Sequence, residues 1–123
     1  MKHYLITGGA GFIGSNFIHL LYEKYDENEI TIHNIDKLTY AGNLENLKEI
    51  ENKKNYYFYQ YDITDTEKIE SIFQKHKIDI VINFAAESHV DRSIMCSKDF
   101  IVTNILGTQT LLDISNKYKV AKY

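Results

Sequence analysis

The stretch Thr7-Gly8-Gly9-Ala10-Gly11-Phe12-Ile13-Gly14 decides the fold: a short apolar run, His3 to Thr7, ends on it, and an amphipathic pattern, Phe12 to Tyr25, begins in it. Gly8, Gly11 and Gly14 recur at every third position. A strand that turns through glycine into a helix leaves the first helical amides without internal partners and places about half a positive charge at the helix start. A phosphate answers both needs, and glycine lets it come close. The spacing G-x-x-G-x-x-G by itself also fits a strand-to-helix turn that holds nothing, so the neighbouring sequence has to decide.

Working outward, Ile13, Phe17, Leu20 and Leu21 fall at helical spacing, and Ile30 to Ile35 reads as a second strand with Asp36 at its carboxyl end. Tyr40-Ala41-Gly42-Asn43 is rich in turn formers, and a short polar helix is predicted from Leu44 to Ile50. The aromatic run Tyr56 to Tyr61 suits a third strand. Thr64-Asp65-Thr66-Glu67 reads as a capping box that opens a helix with Ile69, Ile72 and Phe73 on its apolar face. His76, near the end of that helix, reads as a surface residue suited to the helix dipole rather than as a ligand. Ile78 to Phe84 is almost continuously apolar, as a strand covered on both faces would be. A long helix is predicted from Asp99 to Lys117, with Ile101, Ile105 and Leu112 on one side.

Strands that alternate with helices at short spacing make an α/β protein with a parallel sheet. Right-handed crossovers then give a Rossmann-like, doubly wound sheet in the order 3-2-1-4, ending before a fifth strand. Residues 1–123 are expected to form one dinucleotide-binding domain, and the fourth strand is expected to leave one apolar edge open to pairing.

With 44% hydrophobic and 25% charged residues, the composition is that of a soluble globular domain. A net charge of -3 gives no basic footprint, so neither nucleic acid nor an anionic membrane is expected as a partner, and no run is long enough to span a bilayer. Cys96 is the only cysteine, which excludes an intramolecular disulfide and a thiolate metal cluster. A cytoplasmic setting and no bound metal are expected.

Asp36 lies 22 residues beyond Gly14, where a dinucleotide fold places the acid that binds the adenosine ribose diol. Its charge would repel a 2′-phosphate, so NAD is expected over NADP, although Lys37 brings a positive charge next door. A helix-capping or turn aspartate is the alternative. Asp62, after the third strand, is placed to reach the adenine edge while Ile63 packs on the ring; it would equally stabilise the start of the following helix. Phe84-Ala85-Ala86-Glu87-Ser88 follows the fourth strand, beside the switch in strand order between strands 1 and 4, and the small Ala85 and Ala86 would let a nicotinamide ribose come close.

The glycine pattern, Asp36 and the run after the fourth strand resemble the extended short-chain dehydrogenase/reductases. Three longer stretches resemble the dTDP-glucose 4,6-dehydratases: Asp36-Lys37-Leu38-Thr39-Tyr40-Ala41-Gly42-Asn43-Leu44, Ala85-Ala86-Glu87-Ser88-His89-Val90-Asp91-Arg92-Ser93 and Thr103-Asn104-Ile105-Leu106-Gly107-Thr108. The resemblance spans nearly the whole chain. It implies NAD contacts from Phe12 and Ile13 beside Gly8, Gly11 and Gly14, from Asp36, Lys37, Leu38 and Thr39, from Asp62 and Ile63, from Phe84, Ala85, Ala86, Glu87 and Ser88, and from Thr103. Ser88 would also touch the sugar nucleotide, and Asn104 stands where the wider superfamily has an asparagine supporting the catalytic tyrosine and lysine, or serves a neighbouring backbone group in its helix.

In the implied reaction NAD oxidises C4 of dTDP-glucose, water leaves across C5 and C6, and the hydride returns to C6. The family's tyrosine base, the lysine four residues after it and the acidic pair follow a fifth strand. No catalytic residue is therefore expected within these 123 residues, which should supply the NAD-binding part of a homodimeric enzyme and be inactive alone. Tyr118-Lys119-Val120-Ala121-Lys122 satisfies Tyr-x-x-x-Lys, but it is expected to continue the preceding helix and to play no catalytic part. A sugar-nucleotide epimerase or reductase, or a non-catalytic dinucleotide-binding module, are the competing readings.

Overall fold

This computed structural model describes residues 1–38, 43–85, 98 and 101–123. Strand β1 (Lys2–Thr7) leads through the glycine turn into helix α1 (Phe12–Lys24) and returns as β2 (Ile30–Ile35). A 3-10 turn (Leu44–Leu47) precedes β3 (Tyr56–Tyr59), α2 (Thr66–Lys75) and β4 (Ile80–Asn83). A π-helical stretch (Val102–Gly107) then runs directly into α3 (Thr108–Lys117). All strand pairs are parallel and the order is β3-β2-β1-β4, as the alternation of elements predicts. Thr7 pairs with both Ile35 and Asn83, so the carboxyl ends of β1, β2 and β4 finish level.

Alternation along each strand sends side chains to opposite faces and builds two cores. Tyr4 and Ile6 join Ile30 and Ile32 beneath Ile18 and Leu21 of α1, while Leu5, Ile35 and Val81 join Ile69, Ile72 and Phe73 of α2 and Leu111 and Ile114 of α3. Each fully buried Leu or Ile contributes about 1.5–3 kcal/mol, which outweighs the modest propensities of the short helices.

The inward stripe differs in part from the expected one in α1, where Leu21 is buried and Phe17 packs against the core, and more fully in α3. In α1 the residues facing the sheet are Gly14, Ile18 and Leu21, and Ile13 and Leu20 are exposed. The sequence offers two apolar rows one residue apart, and the row containing Gly14 wins because there the helix backbone rests on the turn. In α3 and the stretch before it Gly107, Leu111 and Ile114 face inward, whereas Ile101, Ile105 and Leu112 are exposed. Gly107 selects this row, because a Cβ at that position would run into the Ile63 side chain.

The start of α2 also differs. Asp62 accepts both the amide and the hydroxyl of Thr64, at 3.0 and 2.8 Å, so Thr64 is taken and Asp65 caps the helix one residue later through Lys68 N. A carboxylate is a strong acceptor, and Asp62 holds the Thr64 hydroxyl away from the helix start. At the far end α3 stops at Lys117, Lys119 has φ 56°, and Val120 N donates to Ser115 O. Tyr118 and Lys122 therefore share no helical face, contrary to the continuous helix expected. Lys122 instead forms a parallel bridge with Ile80, and its carbonyl accepts Val81 N at 2.9 Å. The edge of β4 expected to be open is thus partly covered.

Candidate functional site

The turn between β1 and α1 is held by contacts of the chain with itself. Gly8 has φ 70°, donates its amide to Ile35 O at 2.8 Å, and would place a Cβ 2.6 Å from Ala85 N. Gly14 lies so close to the Gly8 carbonyl that no side chain fits between them. Gly9, which the three-residue spacing passes over, is equally confined by Asn34.

Gly11 is the N-cap of α1, with extended backbone at φ −76° and ψ 175° and no side-chain cap. The first-turn amides are consequently unclaimed by any cap, and the Phe12 and Ile13 side chains project outward. Ala10 is fixed on both sides: its amide donates to Asp36 Oδ2 at 2.9 Å, and its carbonyl accepts Asn43 N and Asn46 Nδ2, each at 3.0 Å. Asp36 Oδ1 accepts Leu38 N at 2.8 Å, and Leu38 itself has φ 60°. The Asp36 carboxylate is thus a turn residue that also anchors the start of the helix.

Lys37 Nζ lies 3.2 Å from Asp62 Oδ2, so the cation beside Asp36 is engaged by the carboxylate that follows β3. Partial burial pushes the Asp62 carboxyl up, but the two bonds from Thr64 and the Lys37 ammonium outweigh it and hold the group below the usual carboxylate range. Ile63 does not present its side chain to a base as expected. It is buried in the second core beneath Gly107. Thr103 sits half-buried in the π-helical stretch, a rare geometry enriched at functional sites.

Beyond β4, the Phe84 amide donates to Thr7 O, the Ala85 amide donates to Thr7 Oγ1 at 3.2 Å, and the Thr7 hydroxyl also donates to Asn83 Oδ1. Gly8, Gly11, Phe12, Ile13, Gly14, Asp36, Lys37, Leu38, Asp62, Ile63, Phe84 and Ala85 therefore all belong to the carboxyl-end side of the sheet or the loops leaving it. The expectations placed on Thr39, Ala86, Glu87 and Ser88 lie outside the described residues.

Sequence reasoning passed over Thr7, Ala10, Asn46 and Asn83, which hold these pieces together. The signal for Ala10 was its small side chain between two glycines; Asn46 gave none, because its partner is a backbone carbonyl 36 residues away. An uncapped helix start, a buried carboxylate beside it and a second carboxylate one strand further on suit a ligand with a doubly anionic linker and hydrogen-bonding sugar hydroxyls. Glycine-lined close approach gives that linker room, so the residues present fit a dinucleotide.

Against proteins of known sequence and structure, a family model described as GDP-mannose 4,6 dehydratase matches residues 5–123. A dTDP-glucose 4,6-dehydratase from Escherichia coli is 52% identical over 118 residues, covering 95% of this chain and 32% of that protein. The crystal structure of a dTDP-glucose 4,6-dehydratase from Streptomyces venezuelae with NAD bound superposes with a TM-score of 0.88 at 40% identity, over 98% of this chain and 37% of that one. A UDP-glucose 4-epimerase from Thermotoga maritima superposes at 0.83 with 37% identity, over 97% of this chain and 35% of that one. The chain spans about a third of the length of the curated relatives it matches.

Proposed function

The chain belongs to the GDP-mannose 4,6 dehydratase family, and from that membership and the geometry of the glycine turn we propose that it forms the NAD-binding part of a dTDP-glucose 4,6-dehydratase. The observation that carries the reading is the bond from the Ala10 amide to Asp36 Oδ2, which fixes a carboxylate beside the uncapped start of α1. In this reading the amides of Phe12 and Ile13 take the pyrophosphate, and the remaining lone pairs of Asp36 accept the ribose hydroxyls. Gly8, Gly11 and Gly14 keep side chains out of the way. Asp62 accepts from the adenine amino group and Ile63 contributes its backbone. Leu38 and Thr39 flank the adenosine; Phe84, Ala85, Ala86, Glu87, Ser88 and Thr103 line the nicotinamide side, with Ser88 reaching the sugar nucleotide.

NAD, when bound, supplies the acceptor and later the donor of the hydride exchanged with the sugar. The chain's own residues bind and orient it. Lys37, held by Asp62, offers little to a 2′-phosphate that Asp36 repels, which favours NAD over NADP. The full activity, dTDP-glucose as substrate, a homodimeric state and a cytoplasmic setting belong to the same proposal. Support for the dimer is the exposed apolar set Ile101, Ile105, Leu106 and Leu112, and support for the compartment is the single cysteine. Among the described residues no helix is long and apolar enough to cross a membrane.

Calorimetric titration of the 123-residue chain with NAD and with NADP tests the reading. One NAD per chain, bound at least about tenfold more tightly than NADP, is expected. Absence of NAD binding would overturn it. Conversion of dTDP-glucose to the 4-keto-6-deoxy sugar by this chain alone would overturn the expectation that the catalytic groups lie elsewhere.

A further inference from the structure

Three imidazoles that the dinucleotide reading does not use come together on the α2 face of the sheet. His3 alternates with Leu5 on β1, His33 with Ile35 on β2, and His76 closes the carboxyl end of α2. Because α2 runs back from the carboxyl end of β3 toward the amino end of β4, His76 arrives near the start of the strands, away from the glycine turn. The expectation that His76 is merely a surface residue gives way to a half-buried ring whose centroid lies 4.5 Å from that of His33. We propose that His3, His33 and His76 bind one divalent transition-metal ion of the zinc class.

The geometry is that of a ligand set. One ring nitrogen from each histidine lies within 4.8 Å of the other two, and His3 Nδ1 is 3.0 Å from His33 Nε2. Zinc–nitrogen bonds of about 2.0–2.1 Å in a tetrahedron set neighbouring nitrogens about 3.3–3.4 Å apart, so this pair has to open by only a few tenths of an ångström when an ion replaces the shared proton. The other nitrogen of His33, Nδ1, lies 3.3 Å from the Tyr59 hydroxyl. Donation from Nδ1–H to that oxygen leaves the Nε2 lone pair directed at the cluster, the kind of outer bond that fixes a ligating imidazole.

The surroundings of His3 and His33 disfavour their charged forms. Burial, with the adjacent imidazoles His76 and His3, pushes His33 down to about 3, and burial lowers His3 as well, against the opposing pull of Asp79. Asp79, whose Oδ2 accepts the His3 amide at 2.9 Å, supplies a carboxylate close by to balance an ion's charge. His33 is wholly buried, while His3 and His76 are half-exposed and leave an entry. Imidazole ligands without an oxygen cage select zinc, copper or nickel over magnesium and calcium.

The test is Zn²⁺ titration of the metal-stripped 123-residue chain at pH 7.5 in competition with a chromophoric chelator, accompanied by thermal unfolding. One Zn²⁺ per chain and a raised Tm are expected. His3→Gln and His76→Gln should each weaken binding by about tenfold or more, as loss of a ligand does. His19→Gln should leave it unchanged, because His19 lies on α1 and is bonded to Asn46 O. Should either cluster variant fail to fold, ¹⁵N imidazole spectra of the unaltered chain decide: the resonances of His3, His33 and His76 move together on saturation. Failure to bind one Zn²⁺, undiminished affinity in folded His76→Gln, or shifts confined to His19 or His89 would reduce the cluster to a stack of rings and overturn the proposal.

Discussion

The Ala10 amide donates to Asp36 Oδ2 at 2.9 Å, joining the middle of the glycine turn to the end of the neighbouring strand. With Leu38 N on the other oxygen, the carboxylate closes two loops at once. Asp36→Ala leaves a buried amide unpaired and is expected to cost about 2–3 kcal/mol, read as a lower urea midpoint with unchanged slope. Asp36→Asn, which retains one acceptor oxygen, should fall between. A midpoint equal to that of the unaltered chain would mean that the bond contributes nothing to the turn.

Gly8→Ala forces a side chain into positive φ and against the Ala85 amide, and Gly14→Ala drives one into the Gly8 carbonyl. Each is expected to destabilise the fold by about 2–4 kcal/mol in the absence of any nucleotide. Unfolding curves measured without ligand check this, since a purely ligand-related role would leave them in place.

The Asp62 carboxyl is held low by Thr64 and Lys37 against the upward pressure of partial burial. Its contribution is complete above the unfolded carboxyl value of about 3.9 and is lost as pH falls through the lower folded value. Both side chains reach solvent, so the contribution stays below about 1 kcal/mol. Carboxyl ¹³C titration should place Asp62 below 3.8, and Lys37→Gln should move its midpoint upward. A midpoint that ignores Lys37→Gln would remove the ion pair from the account.

Tyr118 donates its hydroxyl to Glu70 Oε1 at 2.9 Å, and Phe73 lies against its ring. Tyr118→Phe should weaken the contact between α2 and α3 and leave NAD affinity unchanged. A marked loss of cofactor affinity with stability intact would restore a functional part to the Tyr-x-x-x-Lys sequence.

The order of elements, the parallel sheet and the place of Asp36 were legible because they rest on local patterns: alternation, helical spacing, and a fixed distance from turn to acid. Stripe selection was not. Of Ile13, Phe17, Leu20 and Leu21, only Leu21 is buried and Phe17 packs against the core, because contact of Gly14 with Gly8 turns Ile18 and Leu21 to the inner face. The cap at Asp65 was misread because Asp62 competes for Thr64 through bonds that depend on the folded loop. His3, His33 and His76 are scattered through the sequence, and their meeting depends on strand register and on where α2 ends. Ile63 shows the same limit at the site: a residue adjacent to a binding aspartate can have its side chain committed to the core.

Gly8 and Gly14 are required by backbone atoms of this same chain, whereas the Gly11 backbone adopts angles open to any residue. Chains that preserve this joint will therefore preserve the first and last glycine whether or not a nucleotide ever reaches them. The backbone of the middle glycine makes no such demand, so its replacement in a descendant would mark a scaffold that has outlived its cargo.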